Sequence, residues 1–162
     1  MGMRTGIGYD VHAFAPDRPL ILGGVTIPFE QGLAGHSDAD VVIHAIVDAL
    51  LGAAALGDIG VHFPSSDPRW AGAPSTTFLT YSRDLLAEHS WRISNIDATI
   101  IAEQPKMAAH IPAMRVHLAQ SLGVAENLVS IKSKTTDRLG FTGRGEGIAC
   151  LAIAAIEHET EK

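Results

Sequence analysis

Cysteine is nearly absent from the sequence, which has only Cys150 among 162 residues and therefore cannot form an intrachain disulfide. Disulfide frameworks are typical of oxidising compartments, so a chain without one is expected in a reducing compartment. Uninterrupted apolar runs are also short, whereas a membrane-spanning helix needs about 20 such residues. The first residues lack the basic segment and apolar core of a signal peptide. These features predict a cytoplasmic protein that has no membrane partner.

Basic residues are scarce as well. The chain has 12 lysine and arginine residues against 18 aspartate and glutamate residues, a formal net charge of −6 with histidine neutral. Proteins that coat nucleic acids gain affinity from neutralised phosphates, so this balance argues against a nucleic-acid partner, although not against a small anion. The hydrophobic content of 46% is typical of globular proteins, and the length predicts one domain over residues 1–162.

Alternating apolar and polar residues predict strands, and alanine- and leucine-rich segments predict helices. Strands are expected at Arg4–Phe14, Arg92–Glu103, Leu128–Thr136 and Ile148–Ile156, and a hairpin over residues 20–27 turns at Gly23-Gly24. Helices are expected over Val41–Leu56, Pro74–Ser90 and Pro112–Leu122, with Ser37 or Asp38 capping the first. Two longer loops, Asp58–Ala73 and the glycine-rich Leu139–Gly147, lie between these elements.

The alternation of helices and strands predicts an α+β fold, a two-layer sandwich in which helices cover one face of a mixed β-sheet. The other face then carries apolar residues that nothing in the chain covers. We therefore expect an oligomer in which the open sheet faces of neighbouring subunits meet.

Three residues form a candidate metal site. Asp10 and His12 are two residues apart on the first predicted strand, so both side chains share one face and can reach one ion. With His44 from the first predicted helix they form a common catalytic zinc set that leaves a fourth position open. By spacing alone, the same residues also fit ordinary polar positions in a strand and a helix. Asp40, four residues before His44, is expected either to orient the imidazole or to cap the helix.

Two further segments have features of phosphate-binding sites. His36-Ser37 precedes the first predicted helix, whose N-terminus favours an anion, although Ser37 also fits an ordinary cap. Residues 132–137 and 141–147 combine lysines, hydroxyls and Arg144 with flexible glycines, which suits a phosphate cradle but is also common in turns. Lys106 adds a cation at a strand end, where a lone lysine is usually just solvated.

Five motifs occur in order along the chain. They are Gly8-Tyr9-Asp10-Val11-His12, Gly35-His36-Ser37-Asp38-Ala39-Asp40, Gly57-Asp58-Ile59-Gly60, Pro105-Lys106-Met107 and Phe141-Thr142-Gly143-Arg144-Gly145-Glu146-Gly147. Together they closely resemble the 2-C-methyl-D-erythritol 2,4-cyclodiphosphate synthase family of the non-mevalonate isoprenoid pathway, over residues 4 to 157. The resemblance implies a homotrimer with active sites between neighbouring subunits. It also implies conversion of 4-diphosphocytidyl-2-C-methyl-D-erythritol 2-phosphate into a cyclic diphosphate, with release of CMP.

The resemblance implies roles for individual residues. Asp10, His12 and His44 would bind zinc, and a magnesium or manganese ion would lie on the substrate diphosphate. His36 and Thr135 would stabilise the transition state, and residues 102–108 would hold the cytidine of a substrate in the adjacent subunit. The substrate-binding residues that it implies are Asp10, His12, His36, Ser37, Asp58, Ile59, Gly60, Phe63, Pro64, Ser65, Ser66, Asp67, Ala102, Glu103, Gln104, Pro105, Lys106, Met107, Ala108, Lys134, Thr135, Thr136, Asp137, Phe141 and Arg144.

Three positions depart from the family pattern. Family members commonly have glutamate where this chain has Asp137, which is one methylene shorter and can hold a hard cation through water. Lys134 stands where threonine is common, so we expect its contact to come from the backbone. Ala108 replaces a larger apolar residue.

Two other functions fit the same residues. A zinc-dependent hydrolase would use the open metal position to activate water, and would release inorganic phosphate or cleave an ester. A trimeric binding protein would instead hold an isoprenoid diphosphate in a central apolar channel, with Arg144 as an anion contact. Intact CMP with a cyclic product would exclude the hydrolase, and binding that survives loss of zinc would favour the binding protein.

Overall fold

The computed structural model describes residues 2–159, in which four strands are followed by three helices and then by alternating strands and helices. In chain order the strands and helices are β1 (Met3–Ala15), β2 (Leu20–Leu22), β3 (Val25–Ile27), β4 (Gly32–Leu33), α1 (Val41–Ala54), α2 (Ile59–His62), α3 (Thr76–Glu88), β5 (Trp91–Ile101), α4 (Ile111–Leu122), β6 (Val129–Lys134), α5 (Gly140–Gly143) and β7 (Gly147–His158). Two 3₁₀ turns occur at Pro68–Trp70 and Glu126–Leu128. No helix within the described residues is long and apolar enough to cross a membrane.

Five strands form one mixed sheet, in the order β4-β1-β7-β5-β6. Only β5 and β6 run parallel, and the other neighbours are antiparallel. Helix α1 packs against β1 and β7, α3 against β5, and α4 against β6. The side chains of Ile96, Ala98 and Ile100 on β5 are buried beneath these helices. The predicted α+β fold with a mixed sheet and helices is therefore confirmed.

The opposite face of the sheet is apolar and exposed in this chain. Ile7 and Tyr9 on β1 are 66% and 54% exposed, and their partners on β7, Ile153 and Leu151, are 45% and 38% exposed. Apolar side chains in one continuous patch of this kind mark an interaction surface more often than isolated ones do. The prediction of an uncovered apolar sheet face is confirmed.

Helix α1 lies close to β1 because two glycines of the strand face it. A Cβ atom at Gly8 would overlap the carbonyl oxygen of Ala45, and one at Gly6 would overlap that of Ala49. Both alanines are fully buried. Because no side chain separates the two backbones, the helix is held at a short, fixed distance from the strand.

Helix α1 is capped by Asp40, which confirms one of the two roles expected for that residue. Asp40, not Ser37 or Asp38, is the N-cap, and its carboxylate accepts the backbone N–H of Ile43. The same carboxylate accepts the N–H groups of Gly23 and Gly24 in the β2–β3 turn, at 2.9 and 2.7 Å. The Ile43 N–H is an ordinary local cap contact, but the two glycine N–H groups come from a segment distant in the sequence, so local capping rules could not identify them. Burial raises the Asp40 pKa to about 6, although the donors oppose the rise.

The predicted loops contain short helices. The segment over residues 58–73 includes α2 and a 3₁₀ turn, and the glycine-rich segment over residues 139–147 includes α5. Helix α1 ends at Ala54, two residues before its predicted end, because Ala55 takes a left-handed conformation at the C-cap. The last apolar segment is a strand, as predicted.

Replacing Gly8 by alanine tests the close contact between α1 and β1. The new Cβ would meet helix backbone, which cannot move aside as a flexible side chain can, so we expect a loss of about 1–3 kcal/mol in unfolding free energy. Urea denaturation followed by circular dichroism measures it. Gly52→Ala is the matched control, because Gly52 lies on α1 with open space at its Cβ, and alanine there favours the helix. Equal midpoints for the two variants would contradict the argument.

Candidate metal centre

The side chains of Asp10, His12 and His44 converge, as predicted from the sequence. Asp10 Oδ2 lies 2.9 Å from His12 Nε2 and 3.1 Å from His44 Nδ1. The two imidazole nitrogens are 3.1 Å apart. Strand β1 presents Asp10 and His12 on the face that bears Gly8, and the close approach of α1 brings His44 to the same point.

This triangle of donor atoms fits a divalent metal ion. Donors at about 2.0–2.1 Å from a tetrahedral metal lie about 3.3–3.4 Å from one another, so the observed triangle needs only a small expansion. Two imidazoles and one carboxylate provide three ligands, and a fourth position remains for water or substrate. The three residues are close enough to bind one ion.

Hydrogen bonds fix the orientation of both imidazole rings. His12 Nδ1 donates to the carbonyl oxygen of Ala34 at 2.6 Å, which leaves the Nε2 lone pair for a metal. His44 Nε2 lies 2.8 Å from Ser75 Oγ and 3.2 Å from Ser37 Oγ, on the side of the ring away from Asp10. The suggestion that Asp40 orients His44 is wrong, because the Asp40 carboxylate is occupied by backbone N–H groups.

Asp10 and His12 shift each other's pKa toward the charged form. Burial raises the pKa of Asp10, but hydrogen bonds and charge from His12 and His44 outweigh burial and lower the pKa to about 2. Burial lowers the pKa of His12, but the hydrogen bond to Asp10 and its negative charge prevail and raise the pKa above its ordinary value. Without a metal, the centre therefore holds an Asp10 carboxylate beside a His12 that readily binds a proton.

The three donors open into a cleft of about 250 Å³ that six further predicted residues line. These are His36, Ser37, Ile59, Gly60, Phe63 and Ser65. His36 and Ser37 do not lie at the helix N-terminus as predicted, because α1 begins only at Val41 and Asp40 occupies its cap. His36 Nε2 instead donates to the carbonyl oxygen of Asp67 at 3.0 Å, so two loops meet at the mouth of the cleft.

Several residues of the cleft were not found from the sequence. Trp70 and Phe78 complete its apolar wall beside Phe63, with a Phe63–Phe78 ring distance of 4.4 Å. Arg18 donates to the backbone carbonyls of Gly35 and Ser37 at 2.8 and 2.7 Å, and so holds the loop that carries His36. No spacing in the sequence signals these contacts, because each joins segments that only the fold brings together.

Acidic side chains hold the 58–60 segment in place. Asp48 on α1 accepts the backbone N–H of Ile59 at 2.8 Å, and Asp58 caps α2 by accepting from Val61 at 3.0 Å. Burial raises the pKa of Asp48, and the neighbouring charge of Asp58 adds to the rise. Asp58 therefore has a local structural contact, whereas Asp48, which sequence reasoning did not single out, joins this segment to the helix that carries His44.

A second cleft, of about 220 Å³, collects another group of the predicted residues. Its lining is Ala102, Glu103, Pro105, Lys106, Met107, Ala108, Ser133, Lys134 and Thr135. It shares no lining residue with the first cleft. Glu103 Oε2 is buried and has no hydrogen-bond partner among the described residues. Within one chain, most of the predicted residues are therefore divided between two clefts and do not form one combined site.

The remaining predicted residues line neither of these clefts. They are Asp58, Pro64, Ser66, Asp67, Gln104, Thr136, Asp137, Phe141 and Arg144. Asp67 pairs with Arg69 at 2.6 Å, and Arg144 pairs with Glu146 at 2.9 Å on the surface. Asp137 is exposed, and its backbone N–H donates to Thr135 Oγ1 at 3.3 Å.

The raised pKa of His12 predicts that metal affinity falls in acid. A metal needs neutral imidazole, so below the His12 pKa each bound ion must displace a proton, whereas Asp10 stays ionised down to about pH 2. We expect the dissociation constant for Zn²⁺ to rise at least about tenfold per pH unit below that pKa. Competition with a chromogenic chelator between pH 5.5 and 8 measures it. An affinity that stays constant over this range would contradict the assignment of His12 as a ligand.

Known proteins share both the sequence and the fold. The profile of the YgbB family matches residues 3–157. A Thiobacillus denitrificans protein named 2-C-methyl-D-erythritol 2,4-cyclodiphosphate synthase is 58% identical over 155 residues, which cover 96% of this chain and 97% of that protein. A Clostridium perfringens protein of the same name is 56% identical over 154 residues, which cover 95% and 99% of the two chains.

Solved structures agree with this relationship. The structure of IspF from Plasmodium falciparum in complex with CDP matches with a TM-score of 0.87 and 33% identity, over 98% of both chains. The bifunctional IspDF from Campylobacter jejuni matches with a TM-score of 0.94 and 40% identity, over 98% of this chain but only 43% of that longer one. The extent of these matches leads to one conclusion: the chain belongs to the YgbB family.

Proposed function

We propose that the chain converts 4-diphosphocytidyl-2-C-methyl-D-erythritol 2-phosphate into 2-C-methyl-D-erythritol 2,4-cyclodiphosphate and releases CMP, as a phosphorus–oxygen lyase of isoprenoid precursor biosynthesis. Its membership of the YgbB family and the names of its relatives support this proposal. The CDP in the Plasmodium falciparum IspF complex supports a cytidine diphosphate as substrate. The observation that carries the proposal is the triangle of Asp10, His12 and His44 at the base of the first cleft.

The reaction needs no nucleophile from the protein. An oxygen of the substrate's own 2-phosphate attacks the β-phosphorus, and the bond from that phosphorus to the oxygen of the CMP phosphate breaks, so that CMP leaves with the electron pair. Because nucleophile and leaving group belong to one molecule, the task of the chain is to fold the substrate into an in-line geometry and to balance its charge.

Asp10, His12 and His44 are the proposed zinc ligands. Bound there, the ion supplies positive charge that orients and polarises a phosphate oxygen. Magnesium or manganese is proposed to accompany the substrate diphosphate, with the exposed Asp137 carboxylate as its protein partner. With two cations in place, an acidic chain of net charge −6 can accept a polyanionic substrate.

His36 and Thr135 are the proposed transition-state donors. His36 lines the first cleft, called the metal cleft from here on, and its hydrogen bond to the carbonyl oxygen of Asp67 fixes the ring there. Ser37, at the same cleft, is the proposed phosphate contact beside it. A donor aimed at oxygens whose charge grows during the reaction is worth about 10²-fold in turnover. The residues proposed to contact the methylerythritol part are Asp58, Ile59, Gly60, Phe63, Pro64, Ser65, Ser66 and Asp67.

The cytidine part is proposed to bind the second cleft of an adjacent subunit. In support, the cleft lined by Lys106, Met107 and Thr135 shares no residue with the metal cleft, and the apolar sheet face offers a surface for assembly. We propose that three chains assemble through this face. Sedimentation equilibrium tests the proposal, because a trimer has three times the 17.1 kDa mass of the chain, and a monomer at micromolar concentration would contradict it.

The remaining nucleotide and phosphate contacts are assigned to Lys134, Thr136, Phe141 and Arg144, together with residues 102–105 and Ala108. A cytoplasmic location, a single domain over residues 1–162 and an isoprenoid diphosphate in a central channel of the trimer stay predictions. Arg144 is paired with Glu146 in this chain, so an anion in the channel would have to compete with that carboxylate.

The test of function is incubation with the diphosphocytidyl substrate. We expect equimolar CMP, measured by chromatography, and a cyclic diphosphate, measured by ³¹P NMR. A chelator is expected to abolish turnover and added Zn²⁺ to restore it. His44→Ala is expected to lose at least about 10²-fold in turnover, because it removes one of three metal ligands.

His89→Ala is the matched control for that variant. His89 is an exposed histidine at the end of α3 whose ring hydrogen-bonds, among the described residues, only to the carbonyl oxygen of Leu85, so turnover is expected to stay at the wild-type level. Release of inorganic phosphate or formation of an open-chain product would favour a hydrolase instead. Normal turnover by His44→Ala would show that the metal assignment is wrong.

A further inference from the structure

Ser75 is fully buried at the start of α3, and its polar atoms connect His44 of the metal centre to Asp38 in the loop before α1. Its hydroxyl oxygen lies 2.8 Å from His44 Nε2. The same hydroxyl donates to the carboxylate of Asp38, and the Ser75 backbone N–H donates to the other oxygen of that carboxylate at 2.9 Å. The sequence predicts Ser75 at a helix start, and Asp38 as a helix cap and a member of the motif over residues 35–40.

The direction of these hydrogen bonds follows from counting protons. An ionised carboxylate accepts and cannot donate, so the single hydroxyl proton of Ser75 points to Asp38. The Ser75 oxygen then acts as an acceptor toward His44, and the proton between them belongs to His44 Nε2. Ser75 therefore favours the neutral imidazole with Nε2 protonated, which leaves the lone pair on Nδ1, the atom that faces Asp10 and His12. Without a metal, the Asp10 carboxylate 3.1 Å from Nδ1 favours a proton on that nitrogen instead, and Ser75 opposes this alternative.

The second hydroxyl near His44 Nε2, that of Ser37, defines the tautomer less strongly than Ser75 does. Ser37 Oγ lies farther from Nε2, at 3.2 Å, and it also accepts the backbone N–H of Ala39. Asp38 itself is held firmly, since its carboxylate accepts the N–H of Asp40 at 3.1 Å and its own N–H donates to Ala73. The hydrogen bonds from Asp38 through Ser75 to His44 Nε2 therefore connect a carboxylate that is held in place to the ring that presents Nδ1 to the metal.

We propose that Ser75 and Asp38 are positioning residues for metal binding, which hold His44 in the tautomer and orientation that present Nδ1 to the ion. This inference rests on the metal site of the proposed function and adds two residues to it. The expected consequence is tighter metal binding, because partners behind a metal-binding histidine typically contribute about 10- to 100-fold in affinity.

Ser75→Ala tests the proposal directly. The variant keeps the backbone N–H bond to Asp38 but removes the acceptor for His44 Nε2, so we expect the Zn²⁺ dissociation constant to rise about 10- to 100-fold. Ser82→Ala is the matched control, because Ser82 is also fully buried on α3 and its hydroxyl donates to the carbonyl oxygen of Phe78, its one partner within residues 2–159. A change below about threefold is expected for the control.

Two further measurements separate positioning from general stability. In the metal-free protein at pH 8, ring-nitrogen NMR is expected to show a larger fraction of the Nε2-protonated tautomer of His44 in the wild type than in Ser75→Ala, in which Asp10 alone favours a proton on Nδ1. Asp38→Asn lies in a partly exposed loop, so it serves as the second variant if Ser75→Ala does not fold. The new amide can donate to Ser75 Oγ, so that the Ser75 hydroxyl donates to His44 Nε2 and does not accept from it. This variant is therefore also expected to weaken zinc binding and to shift the His44 tautomer.

The outcomes distinguish this inference from the proposed function. If the wild-type chain does not bind Zn²⁺, both the proposed metal site and this inference are overturned. If the wild-type chain binds Zn²⁺ but Ser75→Ala binds it equally well, only the positioning role is overturned. The same conclusion holds if Ser82→Ala weakens binding as much as Ser75→Ala does, since the effect would then come from loss of packing.

Discussion

The close contact between α1 and β1 is the constraint on which the rest of the structure depends. Gly6 and Gly8 present bare backbone to the helix, so α1 approaches β1 without an intervening side chain. Asp10 and His12, which follow Gly8 on the same side of the strand, meet His44 from the helix. Since both elements are rigid and packed, the three donor atoms are held about where a metal needs them before any metal arrives.

The surrounding loops place further polar groups around the three metal ligands. Arg18 holds the loop that carries His36 and Ser37, and Asp48 holds the segment that begins at Ile59. Among the described residues, buried side-chain polar atoms other than Trp70 Nε1 and Glu103 Oε2 have hydrogen-bond partners, so the cleft can present donors to an anionic ligand without large rearrangement. The second cleft lies elsewhere on the chain, which agrees with the proposal that a complete active site takes residues from two subunits.

The periodicity of the sequence predicts the parts of this structure that depend on local sequence. Period-two alternation located β1 and put Asp10 and His12 on one face, and the apolar run before residue 157 is the predicted strand. It could not show that the Asp40 carboxylate also accepts N–H groups from the β2–β3 turn, because those glycines are 16 and 17 positions away in the sequence. Contacts such as those of Arg18 and Ser75 were missed for the same reason: each joins residues at least 17 positions apart, and only folding brings them together.

The central claim is that Asp10, His12 and His44 bind one divalent ion. The most direct test is anomalous diffraction at the zinc edge from crystals of the zinc-loaded chain. The account predicts one strong peak about 2.0–2.1 Å from Asp10 Oδ2, His12 Nε2 and His44 Nδ1. A peak elsewhere on the chain, or one bound through Nε2 of His44, would contradict it.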